Sequence, residues 1–447
     1  MARAHHPSVQ GQRAQLDLAR AHSTQAVAGF LPGLTGSFAY SPQTANFAAT
    51  PGFKRVLARP ATSGLDTVVD TAGNSIMVSC SPPGGACAAI PPTSATTPAD
   101  YTMFDFWTAG VGLSWTLFDW GRTWFAWRGA QKNVESQKLG VGSTERNVVL
   151  DVKLAFFGAV AADAQTGVAE EAIKTQQRHA EQARAFFQVG TRTKIDVASA
   201  DSDLASAELT LARAHAIRES ARAQLALALG EDVWRDWELV VDPRDFELAP
   251  DDDRRAADAE QQLSADAVGR RTEARELQLR ADSYQDLARS ARGSYLPALT
   301  LQLGPSWAGT DIGALTTNFQ ATLAITYPAF GGMNPVFIHG NVREAEANRL
   351  ALVAQGRATK NALRQELVTA RAQLVTSREA LVAAAKLVGA ATERRTLAEG
   401  RYQAGVGGII ELSDAQLGYV NARFQQVQAG LDVAQARARL QHALGED

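Results

Sequence analysis

"FFQVGTRTKID" (186–196) and "RYQAGVGGIIE" (401–411) are two versions of one turn, 215 residues apart. An aromatic, a glutamine, a glycine and an acid recur in register: Phe187/Tyr402, Gln188/Gln403, Gly190/Gly405 and Asp196/Glu411. The offset holds without a gap to Leu229-Gly230 and Leu444-Gly445. Upstream, "WTLFDWGRTWF" (115–125) matches "YPAFGGMNPVF" (327–337) at an offset of 212, and "FLPGLTGSF" (30–38) matches "YLPALTLQL" (295–303) at 265. One unit has been duplicated, and its first copy carries 53 further residues between Pro32 and Phe118. A fixed offset of this kind sets the architecture before any residue-level reading.

The segments entering the two turns read as long helices. From about 121 to 187 and from about 335 to 402, glycine is infrequent and no proline falls beyond the first residue. At 1.5 Å per residue, roughly 65 residues make a rod of about 100 Å. A compact domain has no use for such a rod, whereas a coiled coil or helical tube does. Leu363, Leu367, Ala370, Leu374, Leu381, Val388 and Ala391 keep a spacing near 3.5, the period of supercoiled helices. In the returning helices, Ala200, Ala207, Ala214, Ala221 and Ala228 recur every seven residues, as do Ala415, Ala422, Ala429, Ala436 and Ala443. Such rows let helices approach closely, while Val197, Leu204, Leu211 and Leu225 supply larger knobs.

The segments before the long helices alternate with period two, the mark of a strand. In "WTAGVGLSWTL" (107–117), Trp107, Ala109, Val111, Leu113, Trp115 and Leu117 share one face. Thr108, Gly110, Gly112, Ser114 and Thr116 share the other. "FQATLAITY" (319–327), "LTLQLGPSW" (299–307) and, most weakly, "LTGSFAY" (34–40) repeat the pattern. Trp107 and Trp115 stand roughly 26 Å apart along an extended strand, close to the height of an outer-membrane apolar band. With Trp307 and Tyr327 they form a candidate aromatic girdle. A strand of a soluble sandwich alternates similarly, but small polar residues opposite a wholly apolar face favour a membrane barrel.

The expected fold is therefore mainly α with a membrane β part, a duplicated strand–strand–long-helix hairpin. Four strands cannot close a barrel, for which about eight are the minimum, and an open edge in lipid leaves backbone groups unsatisfied. The chain must oligomerise, and two, three or four copies all satisfy the strand count.

Bulk composition agrees with this picture. A net charge of −3 argues against a nucleic-acid partner. No run of about 18 apolar residues exists to form a transmembrane helix. The first 30 residues lack the apolar core of a secretory signal, which points to an incomplete start. Cys80 and Cys87 are the two cysteines, and their spacing suits either a small loop disulfide or two free thiols. No Walker loop, HExxH, GxSxG or metal-spaced Cys/His set is present, so no enzyme activity, cofactor or metal is expected. Asp251, Asp252 and Asp253 lack the Gly and Glu of a calcium loop and read as a solvated charge run.

The twin turns with their "DLASAEL" and "QLGYVNARF" continuations, the "FLP"/"YLP" strand entries and "LFDWGR" at 117–122 resemble the TolC-type outer-membrane efflux protein family over nearly the whole chain. The resemblance implies a trimer whose 12-stranded outer-membrane barrel continues into a 12-helix periplasmic tunnel. It implies work with a periplasmic adaptor and an inner-membrane transporter, in efflux or type I secretion, in a Gram-negative bacterium. On this reading residues 1–30 are the first repeat's helix, and 31–118 are two membrane strands with a long surface loop at 42–102. Residues 119–230 are the first long hairpin, and 231–261 a connector at the tunnel waist. Residues 262–293 are the second repeat's helix, 294–330 two more strands, and 331–447 the second hairpin. The absent signal sequence and the long first loop depart from the family's usual pattern.

The turns then lie at the periplasmic tip, about 100 Å from the membrane by helix length. Glu411 and Asp414 share a helix face, and the resemblance implies that acids there line a closed end. Threefold repetition would stack them into cation-favouring rings. Asp196 remains in the first copy, with Ser199 in place of the second acid and Arg192 where the second copy has Gly407. A link from Arg192 to an acid of the second turn would hold this gate shut. An acid in a helix's first turn is also favoured by the dipole alone. Val189, Gly190 and Thr191, with Ala404, Gly405 and Val406, are the candidate adaptor-docking tips, although glycine there also serves simply as a helix cap. The rival function is a soluble periplasmic coiled-coil scaffold or adaptor without a pore.

Overall fold

A computed structural model describes residues 5–44, 64–69, 75–80, 87–89, 103–232, 238–247, 254, 257, 261, 271–327 and 335–445. Two units emerge, one of strands (30–118 and 297–326) and one of helices (1–29, 119–296 and 327–447).

In the strand unit, β1 (Gly33–Tyr40) pairs antiparallel with β7 (Trp107–Phe118). β7 pairs with β8 (Ala298–Gly309), and β8 with β9 (Thr316–Thr326), giving the order β1-β7-β8-β9. The registers carry the period-two pattern coherently across the sheet. Leu34 opposes Leu113, Trp115 opposes Leu301 and Leu301 opposes Leu323, so the apolar sets of all four strands share one face. The small polar sets share the other: Thr35 opposes Gly112, Ser114 opposes Gln302 and Gln302 opposes Thr322. The apolar face is bare. Leu34, Phe38, Leu323 and Ile325 are between 63 and 77% exposed.

Within the long loop, β2 (Gln43–Thr44) pairs with β6 (Met103–Phe104). β3 (Gly64–Val69), β4 (Ser75–Cys80) and β5 (Cys87–Ala89) form a separate three-stranded sheet. Cys80 and Cys87 are Cα partners across β4 and β5, while their side chains lie outside the described residues. So do Asp251, Asp252 and Asp253.

The helical unit contains α1 (Pro7–Ala28), α2 (Arg122–Gln188), α3 (Lys194–Leu229), α4 (Thr272–Gly293), α5 (Pro335–Gln403) and α6 (Ile409–Leu444). At 67 and 69 residues, α2 and α5 are each about 100 Å long. Among the described residues no helix is long and apolar enough to cross a membrane. One half of α2 packs against α1 and α4, the other against α3 and α6, and α5 packs against α4 and α6.

Small residues set these approaches. All five alanines of the Ala415–Ala443 row are buried, because α6 lies between α2 and α5. In the first copy only Ala200 and Ala214 of the corresponding row are buried, since α3 packs mainly on α2. The equal rows in the sequence thus meet unequal surroundings. A second seam joins α2 and α4, where Gly129, Ser136 and Ser143 repeat every seven residues opposite Ala274, Ala281 and Ala288, all buried. Ser283 Oγ donates to the Gly129 carbonyl at 2.7 Å and Ser136 Oγ to the Glu276 carbonyl at 3.1 Å. Beside this seam the fully buried Asp286 holds Lys132 at 2.7 Å, Arg289 at 3.1 Å and Arg128 at 3.4 Å.

Candidate functional site at the hairpin tips

Both long helices end in the same hydrogen-bonded turn. Thr191 N–H donates to the Phe186 carbonyl and Gly190 N–H to that of Phe187, each at 3.0 Å. In the second copy Val406 donates to Arg401 and Gly405 to Tyr402, each at 3.1 Å. This is the Schellman pattern, which consumes the orphan carbonyls of a helix end. It needs one residue in the left-handed region, and Gly190 (φ 75°) and Gly405 (φ 80°) supply it. The shared glycine of the opening motif is therefore a stereochemical requirement of the turn.

The next helix begins two residues further on. Asp196 accepts the Thr193 N–H at 3.1 Å, so the first-copy acid caps α3. Glu411, at the same place in α6, instead meets Arg401 Nε at 3.3 Å across the second turn. Asp414 is exposed, with no ion pair among the described residues. Sequence reasoning missed Arg401, whose signal was a base ten residues before Glu411 on the other side of the turn.

Arg192 does not reach an acid of the second turn. Its Nη2 donates to the carbonyls of Gly407 at 2.8 Å and Tyr402 at 3.2 Å, and its guanidinium lies 4.7 Å from the Tyr402 ring centroid. Of the second turn's acids, Glu411 pairs with Arg401, and Asp414 has no ion pair among the described residues. The second turn itself needs a bare backbone at Gly407, where an added Cβ would come within 3.1 Å of Arg401 C and Tyr402 N.

Beneath this contact lies the tip core of Ala180, Ala183, Ala200, Tyr402, Ile409 and Leu412. Tyr402 is fully buried, and its hydroxyl has no hydrogen-bond partner among the described residues. Burial pushes the Tyr402 hydroxyl's pKa up; Arg192 opposes the shift and Asp196 adds to it. His179, also buried, has its pKa lowered chiefly by desolvation, against raising contributions from Glu399 and Asp203 and with lowering ones from Arg178 and Arg395. Asp203 accepts a short hydrogen bond from Ser413 Oγ, tying α3 to α6.

The outer surface of the tips is apolar as well as glycine-rich. Gly190, Thr191, Ala404 and Gly405 are exposed. Val189, Val406 and the matched pair Ile195 and Ile410 are between 69 and 73% exposed. The two isoleucines were missed, although they keep the 215-residue offset.

In the strand unit, Trp107 packs against Tyr40 (ring centroids 4.5 Å apart) and Phe38 (5.7 Å). Trp115 donates Nε1–H to the Phe30 carbonyl at 2.9 Å. Trp307 opposes Ala109 and so shares the apolar face, while Tyr327 follows the last strand and is partly exposed.

A duplicated hairpin of rod-like helices, joined to an antiparallel sheet with one apolar and one small polar face, defines a channel-forming protomer of the outer-membrane type. Residues 1–231 and 263–446 match the family model described as outer membrane efflux protein, and the chain belongs to that family. It is 28% identical over 337 residues to Protein CyaE of Bordetella pertussis, a match covering 74% of this chain and 68% of that protein. Among solved structures it resembles the outer-membrane channel OprN (TM-score 0.75, 16% identity, covering 100% of this chain and 88% of that one). It also resembles the outer membrane protein VceC of Vibrio cholerae (TM-score 0.74, 16% identity, covering 99% and 94%). The chain is thus an outer-membrane efflux channel protein, an exit duct by family and by fold.

Proposed function

We propose that three copies of this chain form a closed 12-stranded barrel in the outer membrane and a 12-helix tunnel in the periplasm, through which small molecules or proteins leave the cell. The observation that carries this reading is the four-stranded sheet, with an exposed apolar face, a small polar face and unpaired edges at β1 and β9. An apolar face so bare suits lipid, and the edges need partners there. Trp107, Trp115, Trp307 and Tyr327 would form the aromatic girdle. The helices support the same assembly. α5 exposes Val368, Val375 and Val382 at seven-residue spacing, and α3 exposes Leu209, Ile217 and Leu227, as faces awaiting a neighbouring copy would.

The tips would meet a periplasmic adaptor through Val189, Gly190, Thr191, Ala404, Gly405 and Val406, with Ile195 and Ile410 as apolar anchors. That adaptor would link the duct to an inner-membrane transporter. Arg192 would hold the entrance closed by pinning the two turns together. Asp414 would carry most of the cation preference of the constriction, because Arg401 offsets Glu411. Asp196 would act on the gate through the cap of α3. The 42–102 segment is assigned to the cell surface, where Cys80 and Cys87 would be bonded, and the 231–261 segment to the tunnel waist.

The test is membrane fractionation. The proposal expects the chain to remain in carbonate-washed outer membranes, to come out with detergent and to run as an SDS-resistant oligomer. Release by carbonate as a soluble species would instead favour the scaffold without a pore.

A further inference from the structure

The polar face of the sheet β1-β7-β8-β9 draws on a narrow set of residue types. Every residue on it is Gly, Ala, Ser, Thr, Asn or Gln, in registers such as Thr35 with Gly112, Gly110 with Ser306 and Gln302 with Thr322. About 20% of the whole chain is charged, yet β1, β7, β8 and β9 hold no Asp, Glu, Lys, Arg or His on either face. Charged residues stand only beyond the strand ends: Asp105 and Asp119 flank β7, and Asp311 lies in the turn between β8 and β9. Within the face, Thr35 and Thr300 donate to the Gly112 and Ala324 carbonyls at 3.2 and 3.3 Å, and Gln320 donates to Thr322 Oγ1 at 3.1 Å.

A sheet turned toward bulk water ordinarily carries charge, lysine above all at its edges, so water alone does not ask for this neutrality. A pore wall supplies a different reason. Fixed charges on it, repeated by each copy, would form rings that favour one sign of ion over the other. Hydroxyl and carboxamide groups each offer both a donor and an acceptor, so they meet cations and anions on equal terms.

We propose that the strand section of the duct is indifferent to the sign of charge. Cargo bearing either sign, or both as a polypeptide does, crosses it, and any charge preference of the duct is set by other parts of the chain. This rests on the reading above in which the polar face lines the lumen.

The experiment places one cysteine in that face, Thr322→Cys, in the full chain carrying Cys80→Ser and Cys87→Ser, reconstituted in liposomes after the oligomer has been shown to match the wild type. A cationic and an anionic methanethiosulfonate of similar size are applied at about 0.1 M salt, where the field of a remote charge fades within about 10 Å. Each modification rate is divided by that reagent's rate with a small free thiol. The two corrected rates are expected to agree within about threefold. Adding Gln302→Glu, directly across from Thr322, should favour the cationic reagent by about fivefold or more. A larger imbalance of either sign before that substitution overturns the proposal and leaves the face in the lumen. So does a ratio that Gln302→Glu leaves unmoved, because charge on this wall would then not govern passage. If neither reagent reaches Thr322→Cys, or both react equally well with Leu323→Cys on the apolar face, the lumen reading fails and the proposal falls with it.

Discussion

Arg192 and Gly407 hold the same place in the two copies of the repeat, and the side chain of one rests on the backbone of the other. Removing it takes two charge-assisted hydrogen bonds, about 1.5–3 kcal/mol each, and a cation–π contact from the contact between the turns. Arg192→Ala channels should therefore pass more current in the closed state in planar bilayers. Arg192→Lys should rescue only part of this, since an ammonium lacks the planar fork; unchanged closed-state current in both variants would refute the pin. The sequence held half of this contact, an arginine standing where the other copy has glycine. That the two positions meet depends on the approach of two helix ends, which no local pattern encodes. Tyr402 gives a second residue-level test. Its hydroxyl is buried and unpartnered, so Tyr402→Phe should leave thermal stability unchanged or slightly raised, whereas Tyr402→Ala should cost roughly 3–5 kcal/mol through the cavity left behind. His179 sets a pH dependence. Its pKa is lowered from 6.5 in the folded chain, so its contribution is whole above that value and is lost as pH falls below it toward the lowered pKa. His179→Gln should flatten the stability profile in that acidic window and leave it unchanged above.

Among elements, the alanine rows of α3 and α6 separate what a sequence period encodes from what it leaves open. The row marks a helix face that permits close approach, and it was legible in both copies. Which row is enclosed depends on neighbours from distant parts of the chain: α6 lies between two long helices, and α3 does not. Ala422→Leu, at a fully buried position, should overpack its seam and cost about 1–3 kcal/mol. The equivalent Ala207→Leu, at a partly exposed position, should lie close to wild type. Thermal unfolding of the two variants compares them directly, and equal losses would contradict the asymmetry. The seam between α2 and α4 was missed, although Ala274, Ala281 and Ala288 keep the same seven-residue period. Serine and glycine replace alanine on its α2 side, and a search for alanine alone passes over them.

For the whole molecule, the strand pattern was legible because a sheet with lipid on one face and a water-filled lumen on the other, as proposed, would place opposite demands on alternate residues. The registers then brought the four apolar faces to one side. Copy number is another matter. It depends on how far a four-stranded, twisted sheet turns before its edges meet those of neighbours, and that curvature is not written in the alternation. A bare apolar face and two edges unpaired among the described residues would disfavour a single chain in water and in lipid alike, so on the proposed reading assembly and membrane insertion should go together. Native mass spectrometry of the detergent-extracted full chain reads this out most directly. A dominant species of three copies of the 47.7 kDa chain, holding together until the detergent is stripped, is the expected result. A dominant species of one, two or four copies would contradict the 12-stranded duct.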